Sequence, residues 1–181
     1  ELSLALMGSY AIIAVMLTAG VMMTACGNSN SQGASSENNN TTTTQVQQES
    51  SKYSFELNGT KLNIDGDLTE YTTKLGEPKG GYYEAKSCAF DGMDKFYYYD
   101  SVTLQGYQKD GKDKLYSITF MDDAVKTAEG VRIGDSKDKV VSAYGSSYNE
   151  ADGQIQYESG NTVLAFVMKD DVVESIVYSL K

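Results

Sequence analysis

Few residues of this chain have the types and the spacing that catalysis requires. The 181 residues include two cysteines, Cys26 and Cys88, and no histidine. Ser-His-Asp and Cys-His sites are therefore excluded, and the usual zinc ligand sets are missing. The acidic runs 65–67 and 110–113 are shorter than a calcium-binding loop and lack its closing glutamate. A carboxylate pair for glycoside cleavage stays open, but the sequence favours a protein that is not an enzyme and uses no metal or cofactor.

Cys26 follows a segment, residues 2–25, that carries no charge and is mostly apolar. The run 21–27, Val-Met-Met-Thr-Ala-Cys-Gly, resembles the lipobox of bacterial lipoproteins, with methionine where leucine is usual. That resemblance implies that residues 1–25 are a signal segment and that the Cys26 thiol receives a diacylglycerol. Two acyl chains give stable anchoring, so the resemblance places the protein at the cell membrane, on its extracytoplasmic side.

An uncleaved transmembrane helix is the alternative interpretation of the same segment, because about 20 apolar residues cross a bilayer. The small residues that end the apolar run favour cleavage instead. The chain begins at Glu1 and has no basic residue before Cys26, so we expect the natural N-terminus to lie further upstream.

Residues 26–52 are interpreted as the lipid anchor and a disordered tether. Ser, Asn, Thr and Gln dominate this stretch, which buries too little apolar surface to offset the entropy of ordering. A flexible chain of this length has an r.m.s. span of about 25–30 Å, so the tether lifts a domain clear of the lipid headgroups.

Residues 53–181 are long enough to form one domain with its own core. The whole chain has 25 acidic and 15 basic residues. Four of them precede residue 53, namely Glu1, Glu37, Glu49 and Lys52, so the domain carries a net charge of −8. Nucleic acid repels so acidic a domain, and nucleic-acid binding is excluded.

Cys88 has no intrachain partner if Cys26 carries a lipid, so the domain is expected to fold without a disulfide. It lies beside Ala89 and Phe90. We predict that its side chain is buried as a small apolar group, since the chain has no histidine to serve as a base for a reactive thiol.

The domain contains one helical pattern twice. In each copy a capping residue precedes an apolar stripe and a glycine ends the helix. The predicted caps and stops are Asp65 or Asp67 with Gly76, and Asp135 or Ser136 with Gly145. The stripes are Leu68, Tyr71 and Leu75 in the first copy and Val140, Val141 and Tyr144 in the second. We call the sequence distance from Gly76 to Gly145 the helix offset.

Strand residues recur as well, at a second constant distance along the chain. The run 94–101 corresponds to 152–159, and 115–120 corresponds to 173–178. We call the distance from Asp94 to Asp152 the strand offset. It is shorter than the helix offset because the first copy has extra residues between Gly76 and Asp94. These offsets predict a duplication, with repeat one at about 60–121 and repeat two at about 123–181.

Each repeat is predicted to continue from its helix into three antiparallel strands. The strands are expected at about 96–100, 102–109 and 114–121, and at about 154–158, 162–168 and 172–179. Hairpin signals are Asn58-Gly59, Asp91-Gly92 and Asp110-Gly111. Residues 77–93 are interpreted as a long loop and 124–129 as a short helix. The predicted fold is α+β, an antiparallel sheet with short helices on one side.

Two tandem helix-then-strands units resemble the beta-lactamase-inhibitory-protein-like fold, which implies a sheet with a curved open face. The segment 130–145 also resembles small lipoproteins of the outer-membrane barrel-assembly machinery. The runs 87–90, 127–130 and 144–145 are more closely similar to uncharacterised lipoproteins of Gram-positive anaerobes of the Clostridia type, over nearly all of 53–181. That family implies no activity, and the inhibitor's disulfides are absent here, so inhibition is not carried over with the fold.

Two functions are consistent with these features. The first is a surface-tethered binding module that holds an envelope protein or a glycan on a face of its sheet. The second is an inhibitor of a secreted or envelope hydrolase that inserts an acidic loop into its partner's cleft. Binding residues are expected on the strands in the first case and in 77–93 in the second.

The alternation of apolar residues predicts which side of the sheet is buried. Ile155 and Tyr157 alternate with polar residues, and the strand offset transfers their side to the first repeat. The residues predicted to face the core are Tyr97, Tyr99, Val102, Leu104, Ile155 and Tyr157.

An aromatic patch is predicted on the opposite side of the first repeat. It consists of Phe96, Tyr98 and Tyr107, which we propose as ligand-binding residues because tyrosine combines apolar area with a hydroxyl. The alternative is that the N-terminal hairpin or the long loop covers these side chains, since large exposed patches are uncommon on monomers.

Overall fold

Ten strands and two short helices make up residues 51–181, the part of the chain that the computed structural model describes. The strands are β1 Phe55–Leu57, β2 Thr60–Leu62, β3 Tyr82–Lys86, β4 Met93–Tyr98, β5 Val102–Lys109, β6 Lys112–Phe120, β7 Asn149–Ala151, β8 Gln154–Ser159, β9 Thr162–Lys169 and β10 Val172–Leu180. The helices are α1 Leu68–Leu75 and α2 Lys137–Tyr144. The predicted signal segment, lipidation site and most of the tether lie outside the described residues.

The strands form two antiparallel sheets. β1 and β2 make a hairpin, and the other eight strands form one sheet in the order β3-β4-β5-β6-β10-β9-β8-β7. Each half of the large sheet therefore follows one helix in sequence, and the halves meet where β6 pairs with β10. The predicted α+β class, an antiparallel sheet with short helices, is confirmed.

Both helices begin and end as the sequence predicts. Asp67 caps α1 by accepting a hydrogen bond from the Glu70 N–H at 3.1 Å, and Ser136 caps α2 in the same way. Gly76 and Gly145 end the helices with φ angles of 78° and 90°, a conformation that favours glycine.

Two predicted elements are wrong. Residues 77–93 are not one long loop, because they contain β3, which pairs with β4 from Tyr82↔Tyr97 to Lys86↔Met93. Residues 124–129 form no helix. A turn closed by the Gly130 N–H and the Thr127 carbonyl at 2.9 Å ends this segment, and a single turn does not offset the entropic cost of helix nucleation. The sequence pattern does not predict β7 either.

The core lies on one face of the large sheet, and it is the face that the alternation of apolar residues predicts. Val102, Leu104 and Ile155 are fully buried, and Tyr157 is nearly so. Tyr97 and Tyr99 are partly buried and pack against the same cluster. The alternation therefore predicts the core side correctly in both halves.

Both helices and the β1–β2 hairpin cover this core face. The Phe55 ring of the hairpin lies 4.8 Å from the Phe120 ring, and the Tyr144 ring of α2 lies 5.2 Å from the Phe166 ring. α1 packs Leu68 against Gly106, where an added Cβ would lie 2.1 Å from the leucine Cδ2. Glycine at this position thus lets α1 approach the sheet closely.

Several hydrogen bonds occur at corresponding positions of the two halves. Before α1, Asp65 N–H donates to Leu115 O at 2.8 Å and Leu115 N–H to Gly66 O at 3.0 Å; before α2, Gly134 N–H donates to Val173 O and Val173 N–H to Asp135 O, both at 2.8 Å. After the helices, Tyr99 OH donates to Gly76 O at 3.1 Å and Tyr157 OH to Gly145 O at 2.7 Å. In each corresponding pair of bonds, the partner next to the helix recurs at the helix offset. The partner in the strand recurs at the strand offset.

A bulge also recurs at the strand offset. The register between β5 and β6 skips Tyr116, and the register between β9 and β10 skips Glu174. A bulge bends its strand and increases the local twist, so both halves curve at the same point.

Candidate functional site

The face of the large sheet opposite the helices, called the open face below, is the main candidate surface. Its middle carries ten uncharged side chains from β5, β6, β10 and β9. They are Thr103, Gln105, Ser117, Thr119, Ser175, Val177, Ser179, Val163, Ala165 and Val167, of which Ser117 and Ala165 are buried by their neighbours and the other eight are half-buried. Since the domain is strongly acidic, an uncharged surface of this kind is unusual for solvent contact alone and suits a neutral ligand.

Aromatic side chains border the open face on β3 and β4. Tyr83 pairs with Phe96 across the two strands, with ring centroids 6.1 Å apart, and Tyr98 lies two residues further on the same side. Tyr83 is 56% exposed and Tyr98 is 36% exposed, while Phe96 is half-buried. We call Tyr83, Phe96 and Tyr98 the aromatic cluster.

Tyr107 does not belong to this cluster, so the prediction that it is exposed is wrong. Its side chain is 4% exposed because Phe90, from the loop between β3 and β4, lies over it at 4.7 Å. Tyr116 packs on the same ring at 5.9 Å, and the Tyr107 hydroxyl donates to Asp65 Oδ1 at 2.7 Å. The loop therefore covers Tyr107, as the alternative interpretation of the sequence predicts.

Cys88 is exposed, so the prediction that its side chain is buried is wrong. Ser87 Oγ accepts a hydrogen bond from the Phe90 N–H at 3.0 Å. This turn directs Phe90 inward, onto Tyr107 and Tyr116, and leaves Cys88 at the surface.

Sequence reasoning misses Tyr83 because its pattern indicates a loop over 77–93. A signal is present, since two tyrosines follow Gly80-Gly81 and tyrosine favours strands. Gly80 allows the close approach of the two chain segments, because an added Cβ there would lie 2.7 Å from the Tyr98 carbonyl oxygen.

Asp94 is a second residue that sequence reasoning misses. It lies on β4, two residues before Phe96 and on the same side of the strand. Among residues 51–181, its Oδ1 is the one buried side-chain oxygen or nitrogen without a hydrogen-bond partner. A buried acceptor without a partner lowers stability, so its presence here calls for an explanation.

Within residues 51–181 no group of three His, Cys, Asp or Glu side chains is placed to hold a metal ion. A groove lies between the β1–β2 hairpin and residues 124–128, and its lining includes no residue of the open face. Its lining includes Glu56, Lys61 and Lys126, which are common surface charges.

Tyr157 provides a test of the core beneath the open face. Burial raises the pKa of this tyrosine to about 12, and the neighbouring Tyr148 and Tyr53 add to the shift. The folded state therefore holds the Tyr157 proton above pH 10, the ordinary value, where the unfolded chain releases it. The free energy of unfolding is expected to fall as the pH rises from 10 to about 12.

The Tyr157→Phe variant isolates this contribution. It loses the hydrogen bond to Gly145 and is expected to be less stable than the wild type at neutral pH. Because phenylalanine does not titrate, the difference should shrink between pH 10 and about 12. Urea unfolding at several pH values measures it, and parallel stability curves would show that Tyr157 ionises equally in both states.

Comparison with protein-family models, with curated proteins and with solved structures finds no match for this chain. Among the described residues, no helix is both long and apolar enough to span a membrane.

Proposed function

We propose that this protein is a lipid-anchored extracytoplasmic binding module whose open face and aromatic cluster hold an envelope protein or a glycan. The observation that carries the proposal is the cluster itself. Tyr83 and Tyr98 expose large aromatic surface beside a face of neutral hydroxyl, amide and valine side chains. Tyrosines of this kind supply contact area and a hydrogen-bonding hydroxyl to proteins and to sugars alike.

The location rests on the sequence around Cys26. An apolar segment, two small residues, the cysteine and a polar tether follow one another as in bacterial lipoproteins. A domain on such a tether meets envelope components rather than lipid, because its net charge of −8 is repelled by anionic headgroups.

We also propose that the domain arose by duplication. The repeated hydrogen bonds and the repeated bulge support this, since the corresponding residues of the two halves are separated by the helix offset or the strand offset. The halves differ at the candidate site. Phe96 and Tyr98 of β4 correspond to Gln154 and Gln156 of β8, so the aromatic residues are present in one half only.

Asp94 places a half-buried carboxylate next to the aromatic cluster, with its Oδ1 buried and without a protein partner. Aromatic rings that stack on a sugar and a carboxylate that accepts from its hydroxyls form a common combination, and they serve equally for a peptide backbone or a side-chain hydroxyl. The proposal therefore covers both partner classes.

Capture of a partner by the full-length chain tests the proposal. Tyr83→Ser combined with Tyr98→Ser removes exposed aromatic area without opening the core, and we expect capture from envelope extract to fall about tenfold or more. Met121→Ser with Val172→Ser is the matched control, because these side chains are 58% and 43% exposed and lie outside the cluster. Equal capture by the two double variants would remove the cluster from the proposal.

Inhibition of an envelope hydrolase is the second candidate function. It is favoured by the loop between β3 and β4, which Phe90 anchors onto Tyr107 and which exposes Cys88 and Asp91. An anchored loop with an exposed acidic tip has the shape of an inhibitory segment. Asp91→Ala is expected to abolish capture under this function and to leave it unchanged under the first.

A further inference from the structure

The β3 edge of the large sheet offers its backbone to another strand. β3 has a described neighbour on one side only, β4, and it is five residues long. β7, at the opposite edge, has three residues. Natural sheets keep exposed edge strands short or blunt them with charged side chains, proline and bulges. β3 has no proline and no bulge, and its two charged residues, Glu84 and Lys86, have opposite signs.

The outward backbone groups of β3 follow from its hydrogen bonds to β4. Gly81 O accepts from the Tyr98 N–H at 3.0 Å, and the Ser87 N–H donates to Gly92 O at 3.1 Å. In an antiparallel pair such bonds alternate, so the odd-numbered residues of β3 point their N–H and C=O groups at β4. The even-numbered residues, Tyr82, Glu84 and Lys86, point theirs outward.

The side chains at this edge are exposed aromatic and charged groups. Tyr82 and Tyr83 are 48% and 56% exposed, on opposite faces of the strand. Glu84 and Lys86 lie on the Tyr82 side, and neither forms an ion pair with any residue that the structure describes. The Tyr82 hydroxyl donates to Glu84 Oε2 at 2.6 Å and holds that carboxylate on this face.

Opposite charges two residues apart make β3 complementary to itself. If two β3 strands pair antiparallel about a two-fold axis at Ala85, Glu84 of each copy lies directly opposite Lys86 of the other. The outward groups of residues 84 and 86 then form the hydrogen-bonded pairs. An axis at Glu84 would instead oppose two carboxylates, which is destabilising.

We propose that β3 pairs with β3 of a second copy of this chain, with the two-fold axis at Ala85. The pairing joins two eight-stranded sheets into one and partly covers the exposed rings of Tyr82 and Tyr83. It also brings the two aromatic clusters to the centre of a shared open face. The inference concerns the assembly of the chain and does not rest on the proposed binding function.

A cysteine at the axis tests the pairing and its register. In full-length chain carrying Cys88→Ser, Ala85→Cys places two thiols directly opposite each other in a non-hydrogen-bonded pair, about 4.5 Å apart at Cα. With a mild oxidant such as oxidised glutathione, we expect a disulfide-linked dimer, and mass spectrometry of the cleaved chain identifies the link as one between the two introduced cysteines. Ala151→Cys on β7 is the matched control: its β3 edge is intact, and no disulfide link through the introduced cysteine is expected. Absence of the link in the Ala85→Cys variant, or an equal yield from both variants, would overturn the proposal.

Charge reversal tests the self-complementarity by a second route. Lys86→Glu turns both cross-strand pairs into repulsive ones, and so does Glu84→Lys, so each is expected to weaken dimerisation about tenfold or more. The double variant Glu84→Lys with Lys86→Glu restores both pairs. Sedimentation of the full-length chain in detergent measures the dimer, and failure of the double variant to recover it would overturn the register.

Discussion

A Phe55→Ala variant is expected to lose about 3–5 kcal/mol of its free energy of unfolding. Phe55 belongs to the β1–β2 hairpin, outside the large sheet, yet its ring is only 3% exposed. It packs on Phe120 of β6 at 4.8 Å and on Tyr178 of β10 at 6.2 Å. Those strands are the central pair, one from each half, so the hairpin seals the junction between the halves and alanine leaves a cavity there.

Chemical denaturation of the full-length chain measures this loss. Tyr83→Ala is the matched control, since it removes an aromatic ring that is 56% exposed, and a change within about 0.5 kcal/mol is expected. If Phe55→Ala is as mild as Tyr83→Ala, the hairpin is a peripheral element and the core is closed by the helices alone.

Complete loss of lipid is expected for Cys26→Ser. Under the proposed anchoring, the Cys26 thiol is the nucleophile that would take a diacylglycerol, and a hydroxyl would not replace it. Palmitate labelling of the full-length chain should disappear, and Cys88→Ser, which changes the other cysteine, should label normally. Label that persists in Cys26→Ser, or a mature chain that retains residues 1–25, would favour the transmembrane interpretation.

The regular elements are predictable because local signals determine them. The helix boundaries depend on capping residues and glycines next to the helix, and the burial of Ile155 and Tyr157 depends on alternation within one strand. Hairpins at Asn58-Gly59 and Asp110-Gly111 follow from turn chemistry, with positive φ at all four residues.

The errors concern residues whose environment comes from distant parts of the chain. Tyr107 has the parity of an outward-facing residue, but Phe90 covers it from the loop between β3 and β4, which precedes it in the chain. Cys88 is exposed for the same reason, because the Ser87 turn directs Phe90 inward in its place. The alternation of apolar residues within a strand carries no information about cover by a distant loop.

β3 is another element that the sequence pattern does not predict. Its five residues, Tyr-Tyr-Glu-Ala-Lys, combine two strand formers with three residues that are neutral or unfavourable in strands. Pairing with β4 decides its conformation, and that pairing is a tertiary property. Phe96 and Tyr98 can thus be placed from the sequence, whereas their neighbour Tyr83 requires the structure.

Site-specific photo-crosslinking in the living cell envelope tests most directly whether the open face binds a partner. A photoreactive residue replaces Thr119, in the middle of the open face, or Thr69, on the exposed surface of α1 on the opposite side. The account predicts a crosslink to a partner other than a second copy from Thr119 and none from Thr69. Crosslinks from Thr69 without any from Thr119 would contradict it.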